Sequence, residues 1–331
     1  MLSKDDITTW IGDRCDGAIG QLTEQWDADL FAALSNAGGI AYSNYAVGHD
    51  NVDVPGATAA GIPVGNTPGV LTETTAEMAV ALTFAAGRRV VEADAFMRAG
   101  KYEGWLPTLY MGKRFHGGTV GIVGAGRIGA AYARMLVEGH KMNVIYYDLH
   151  ENAALESFVA DYADFLVAHG EEPVTCSRAE TLEGLLAVAD VVSLHTALTA
   201  ETRHLIGAEE LSSMKDDAIL VNSSRGPVVD EVALVEHCRS HPLFTAGLDV
   251  FEDEPAMKPG LADLDNVVIV PHIASATTWT REGMATLAAA NVAALLQGQP
   301  IWKGDSVLPF LVGDLVPEAP SVVNAAELDL T

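Results

Sequence analysis

Short apolar runs alternate along this chain with segments whose apolar positions recur every three or four residues, a pattern that predicts an α/β protein. Near the start, Asp16–Ile19, Ile40–Ser43 and Ile62–Val64 read as strands separated by helical segments, together a first α/β unit. A long Ala-rich stretch opens at Thr72, with Thr74 and Glu77 at capping-box spacing, and stays apolar nearly all round through Ala99. It reads as one helix, either buried within the subunit or lying at an interface. A second α/β unit begins at Thr119 with the strand Val120–Val123. Near-continuous apolar runs follow at Asn143–Tyr147, Val188–Leu194, Ala218–Val221, Ala246–Val250 and Val267–Val270. Strands apolar on both faces and spaced by helical segments predict a parallel, doubly wound sheet. Residues 281–297 read as helix on Met284, Leu287, Ala288, Val292 and Leu295, and the tail after Gln299 reads as surface loop.

Length and charge narrow the picture. At 331 residues the chain exceeds the size at which one core stops growing, so two lobes are expected. Its longest apolar run, Ala76–Gly87, is too short to span a bilayer, and the opening residues carry no basic region followed by an apolar stretch. Asp and Glu outnumber Lys and Arg 45 to 19, a formal charge of −26, which repels nucleic acid and anionic lipid. A site for an acid substrate must then carry its own local positive charge. Cys15, Cys176 and Cys238 are scattered and form no Cys-x-x-Cys pair, which argues against a disulfide framework and a structural zinc and for a reducing compartment.

The most specific short motif is Gly124-Ala125-Gly126-Arg127-Ile128-Gly129, directly after a predicted strand and opening a predicted helix. Gly124 permits a tight turn, Gly126 lets amides approach a pyrophosphate, and Gly129 permits close helix-to-strand packing. The next strand ends in Asp148, at the spacing of a ribose-binding acid. A carboxylate accepts from a ribose 2′-hydroxyl and repels a 2′-phosphate, and Leu149, His150 and Glu151 bring no arginine, so NADH is expected over NADPH. The alternative is that Asp148 only caps the following turn.

Three polar residues lie just beyond apolar strands, where open α/β sheets bind ligands. Arg225 offers a carboxylate a planar pair of donors, and His272 can give a proton to a developing oxyanion. Glu254 can orient that imidazole and favour its charged form. Together they suit reduction of a small 2-keto acid. Taken singly, His272 could be structural and Arg225 could simply hold a strand end. His195 also ends a strand, but it reads more readily as lining the cofactor side or holding a loop than as the acid.

Longer stretches carry a resemblance. Ile11–Gly17, Gly65–Glu77, Tyr102–Pro107, Lys258–Asp263 and Trp279–Thr286 resemble the D-isomer-specific 2-hydroxyacid dehydrogenase family, and within it the plant-type NADH-dependent reductases of hydroxypyruvate. A helical segment over 152–173 resembles an insertion of that subgroup. The resemblance implies an NAD-binding Rossmann domain inserted into a smaller flavodoxin-like substrate domain: 1–90 and 281–331 for the substrate domain, 91–280 for the nucleotide domain. It implies Arg225, Glu254 and His272 as the catalytic set, with the Val47 and Gly48 amides donating to the substrate carboxylate beside Arg225. On the cofactor side it adds Arg127 and Ile128 at the pyrophosphate, Thr196, Ala197 and Thr202 near the adenosine half, Ser223 and Ser224 near the nicotinamide, and Asp249 on its carboxamide.

The expected activity is NADH-dependent reduction of hydroxypyruvate to D-glycerate, with glyoxylate to glycolate as a second activity. Phosphoglycerate, formate and D-lactate dehydrogenases, and NAD-sensing corepressors on the same scaffold, are the alternatives. No metal, nucleic-acid or membrane partner is expected, and the apolar 72–99 helix points to a homodimer. The family's opening strand and helix have no counterpart here, many relatives carry Pro where this chain has Ala197, and Leu328-Asp329-Leu330-Thr331 is not a Ser-Lys-Leu-type address. A cytosolic location is the resulting expectation.

Overall fold

The computed structural model describes residues 2–313 and 316–330. Contacts divide the chain into two units, one formed by residues up to Thr72 together with those from Ser275 onward, the other by Glu73–Ala274. The first unit opens with α1 (Lys4–Ile11), β1 (Ala18–Gly20), α2 (Ala28–Asn36), β2 (Tyr42–Asn44), α3 (Val54–Ala59) and β3 (Val64–Gly65). Its three strands pair in parallel in the order β1-β2-β3. Asp27 and Asp53 start α2 and α3 by accepting the Leu30 and Gly56 amides, groups that no helical carbonyl can satisfy. The core there is aromatic, with the Trp26 and Tyr42 rings 4.4 Å apart and Phe31 edge-on to Tyr42.

The second unit contains α4 (Thr72–Gly87), α5 (Val90–Arg98), β4 (Thr119–Val123), α6 (Arg127–His140), β5 (Asn143–Tyr147), α7 (Ala153–Ala168) and β6 (Cys176–Arg178). It continues with α8 (Leu182–Val188), β7 (Val191–Leu194), α9 (Ala208–Ser213), β8 (Ile219–Asn222), α10 (Glu231–Ser240), β9 (Thr245–Leu248) and β10 (Val267–Ile269). All seven strands are parallel, in the order β10-β9-β8-β7-β4-β5-β6. The direction of winding reverses between β4 and β7, the switch point at which such sheets bind ligands. One core cluster joins α4, α6 and α7 residues to the sheet, and another joins α8, α9 and α10 residues to it. This two-sided burial is why the strands read as unbroken apolar runs.

Several expectations shift. The 72–99 stretch is two helices, because Arg89 adopts a left-handed φ of 53° and turns the chain after α4. Helix α5 buries no residue, whereas α4 sinks Ala76, Ala79, Leu82 and Ala86 into the cluster of Val120, Ile122 and Tyr132. That packing moves the first unit boundary to residue 72, ahead of the 90 read from the sequence, and the last falls at 274 in place of 280. Strand β6 is short and half-exposed and leaves no apolar run to find. The chain then returns to the first unit as α11 (Thr278–Leu296) and α12 (Leu308–Leu311). The tail read as surface loop is fastened by Asn324, which accepts the Val64 amide at 2.8 Å and donates to the Ile62 carbonyl at 3.1 Å.

Asn291 of α11 is wholly buried, donating to the Asn66 carbonyl at 2.8 Å and accepting the Ser321 amide at 2.9 Å. Asn291→Ala strands both main-chain groups away from water and is expected to cost about 2–4 kcal/mol. Chemical denaturation followed by circular dichroism measures this, and an unchanged midpoint would remove Asn291 from the support of the first unit.

Candidate active site

Within the second unit, the chain leaves β4 into a glycine turn. Gly124 takes φ 91°, a region closed to most side chains, and a methyl group there would meet the His195 carbonyl carbon at 2.9 Å. A methyl group on Gly129 would overlap the Gly124 carbonyl oxygen, so only glycine lets α6 approach the turn this closely. Gly126 is the N-cap of α6 and supplies no side-chain acceptor, so the first amides, those of Arg127 and Ile128 among them, form an anion-seeking end with the positive pole of the helix dipole. These features fit a dinucleotide pyrophosphate. The Ser223 and Thr196 hydroxyls, both buried and without a hydrogen-bond partner, are further groups that a bound dinucleotide could satisfy.

Asp148 follows β5, and its Oδ1 accepts the His150 amide at 3.0 Å. It does cap the turn, with one of its two oxygens. Arg178, at the end of β6, reaches the same turn and donates to the Asp148 and Leu149 carbonyls at 2.8 and 2.9 Å. Sequence inspection around Asp148 misses this arginine, which arrives from the neighbouring strand. After β7, His195 is half-buried beside the glycine turn with Nε2 2.9 Å from the Ser193 hydroxyl, and desolvation pushes its pKa down to about 3. It stays neutral at working pH and fits a holding role. Thr202 is engaged within its own loop, donating to the Ala197 carbonyl at 2.6 Å and accepting the Thr199 amide at 2.8 Å.

The polar ends of β8, β9 and β10 meet. Asn222 at the end of β8 binds the Ser224 amide through Oδ1 and the Arg225 carbonyl through Nδ2, at 3.1 and 2.8 Å, which shapes the turn carrying Ser223, Ser224 and Arg225. Arg225 is half-buried, with one guanidinium nitrogen on the Ser224 carbonyl at 2.8 Å. His272 follows β10 with a left-handed φ of 51°, a conformation costly for histidine. Asp249 holds it there: its carbonyl accepts the His272 amide at 2.8 Å, and its carboxylate accepts the Ile273 and Ala274 amides at 2.6 and 2.9 Å.

The His272 Nδ1 lies 2.9 Å from Glu254 Oε2, and each side chain keeps about a third of its surface exposed. Burial works to raise the Glu254 pKa, but the bond and charge of His272, the Phe251 amide at 3.0 Å and the Arg225 charge outweigh it and hold the carboxyl below its ordinary range. An ionised carboxylate only accepts, so Nδ1 donates and Nε2 is left to exchange a proton with a ligand. The structure thus brings Arg225, Glu254 and His272 together through Glu254. Val47 and Gly48 belong to the first unit, in a turn anchored by Asn66 on the Val47 carbonyl and Asn44 on the Gly48 carbonyl, each at 2.9 Å. Among the described residues, no group of three or more His, Cys, Asp or Glu is arranged to hold a metal, and no helix is long and apolar enough to cross a membrane.

Comparison with known proteins shows the family. A family profile described as "D-isomer specific 2-hydroxyacid dehydrogenase, NAD binding domain" matches residues 80–274. The chain is 60% identical to "Glycerate dehydrogenase" of Cucumis sativus over 331 residues, covering 99% of this chain and 87% of that one. It is also 60% identical to "Glycerate dehydrogenase HPR, peroxisomal" of Arabidopsis thaliana over 333 residues, covering 100% and 86%. The solved structure of the TT0316 protein from Thermus thermophilus superposes with a TM-score of 0.80 at 37% identity, covering 98% and 90%.

Gly129→Ala forces α6 away from the Gly124 carbonyl. Overpacking of this kind costs about 1–3 kcal/mol, and with the dinucleotide-bound state carrying that strain the affinity is expected to fall about 5–150-fold. Calorimetric titration of the folded variant checks this, and an unchanged dissociation constant would show that the close approach is not needed for binding.

Proposed function

The chain belongs to the D-isomer specific 2-hydroxyacid dehydrogenase family, and from that premise we propose that it reduces hydroxypyruvate to D-glycerate with NADH, and glyoxylate to glycolate as a second activity. The observation that carries the chemistry is the pairing of His272 with Glu254 beside Arg225, next to the ends of strands in an NAD-binding unit. The substrate is supported by full-length identity to two proteins named glycerate dehydrogenase.

Bound NADH supplies the hydride that reduces the keto carbon. The chain's own residues do the rest. Arg225 holds the substrate carboxylate through paired donors, with the Val47 and Gly48 amides as further proposed donors. His272 passes the Nε2 proton to the substrate oxygen as negative charge develops there. Glu254 keeps the Nδ1 proton in place, fixing the ring's orientation and stabilising its charged form. Gly124, Gly126, Gly129, Arg127 and Ile128 form the proposed pyrophosphate site. Thr196, Ala197 and Thr202 lie toward the adenosine half, and Ser223, Ser224 and Asp249 toward the nicotinamide.

Asp148 supports NADH over NADPH, because its second oxygen can accept from a ribose hydroxyl and would repel a phosphate. Homodimer formation is supported by apolar surface on and after α5: Val90, Val91, Met97, Trp105, Leu106 and Met111 are all exposed. A cytosolic location stays part of the proposal, although one relative is named as peroxisomal.

The test is the rate of NADH oxidation with a panel of small 2-keto acids. Hydroxypyruvate is expected to give the highest kcat/KM, glyoxylate a lower one, and failure with every keto acid would overturn the proposal. His272→Ala is expected to lower kcat by about 10²-fold or more while NADH still binds; unchanged turnover would remove His272 from the reaction. Asp148→Ser removes one charge-assisted hydrogen bond and one repulsion, and is expected to narrow the NADH-to-NADPH preference by about 10–100-fold. An unaltered ratio would assign the discrimination elsewhere.

A further inference from the structure

The second unit buries a carboxylate that the proposed reaction does not use. Glu231 is the first residue of α10 and only 2% exposed. Acidic residues in a first helical turn ordinarily face water and the helix dipole. Capping here is done by Asp230, which accepts the Val232 and Ala233 amides, and the Glu231 oxygens turn away from their own helix. Oε1 accepts the Glu252 amide, and Oε2 accepts the Lys258 amide at 3.2 Å.

Those two amides bracket the loop that carries Glu254. Side chains fasten the same loop: Glu252 lies 2.9 Å from His204 Nε2, and Lys258 reaches Asp253 at 2.6 Å and Glu252 at 3.7 Å. The loop therefore starts and ends on one buried carboxylate, and between those points it presents Glu254 to His272.

We propose that Glu231 is a positioning residue for the reductase: by holding the Glu252 and Lys258 amides it fixes the loop that sets the Glu254 carboxylate against His272. The catalytic consequence rests on the proposed function above. The cost of keeping Glu231 is visible, since burial pushes its pKa above the ordinary range, the Glu252 charge adds to this, and the two amides and Lys258 oppose it. An apolar residue would avoid that cost and pack as well, but only a group with two acceptor oxygens can join both amides. The charged groups facing Glu231 are Glu252 and Lys258; those facing Glu254 are His272, Arg225 and Asp249.

The test compares the full-length enzyme with Glu231→Gln, which keeps the volume but turns a carboxamide NH2 donor toward one of the two backbone amides. Displacement of a catalytic group by about 1 Å costs about 10²-fold, so kcat is expected to fall about 10–100-fold while the KM for hydroxypyruvate and the Kd for NADH change by less than about twofold. In the parent enzyme, Glu254 is held ionised below the ordinary glutamate value of 4.5, and its pairing is lost only as pH falls through that lowered pKa. The acid limb of kcat/KM is expected to lie below pH 4.5 in the parent and to rise toward it in the variant.

Two readouts need no turnover: hydrogen exchange at the 252 and 258 amides, expected to quicken, and the proton resonance of the His272 ring Nδ1–H, expected to weaken. Parent enzyme that reduces no keto acid would overturn the reaction, and these two readouts would then decide the clamp by themselves. Glu231→Asp keeps the charge but shortens the reach, and is expected to lie between the parent and Gln; it serves as the test if the Gln variant does not fold. A kcat and acid limb equal to the parent's, or exchange and ring resonance unchanged, would overturn the proposal.

Discussion

Parallel pairing points the carboxyl ends of all seven strands of the second unit toward one edge of the sheet, and burial on both faces leaves that edge as the place for chemistry. The glycine turn after β4, Asp148 after β5, Arg225 beyond β8 and His272 beyond β10 are far apart in the chain. They come to one edge because each strand delivers its loop to the same side. A sheet of mixed direction would scatter them.

A shared edge is not enough to align an acid with its partner, and the alignment is supplied by main-chain amides held on carboxylates. Asp249 accepts the two amides after His272 and so keeps the histidine in its left-handed turn. Glu231 does the same for the loop that carries Glu254. Two buried acids thus hold the loops at the two ends of the Glu254–His272 hydrogen bond, an arrangement that under the proposed mechanism leaves less reorganisation for proton transfer. The acids are costly to bury, which is consistent with their hydrogen bonds running to loop amides with no sheet or helix partner.

Charge follows the same division of labour. The surface as a whole is acidic, with a formal charge of −26, and repels anions at a distance. Attraction is therefore local. The start of α6 has no side-chain cap and presents its amides at the positive end of the helix dipole, and the Arg225 guanidinium stands beside Glu254, close enough to help keep it ionised.

The sequence by itself determined the parts whose causes are local. The strand that becomes β5 matches residue for residue, because its run of β-branched and aromatic residues is visible without its neighbours. The Gly124–Gly129 turn is legible because the steric demands of a close strand-to-helix turn lie within six residues, and Arg225, Glu254 and His272 stand out as candidates because they are polar residues just past apolar runs. Only the tertiary structure decided the break at Arg89, the short strand β6, the approach of Arg178 to the Asp148 turn and the burial of Glu231 and Asp249. Each of those depends on a partner that spacing along the chain does not reveal: Glu231 looks like any acidic residue opening a helix until folding brings the amides of Glu252 and Lys258 onto it.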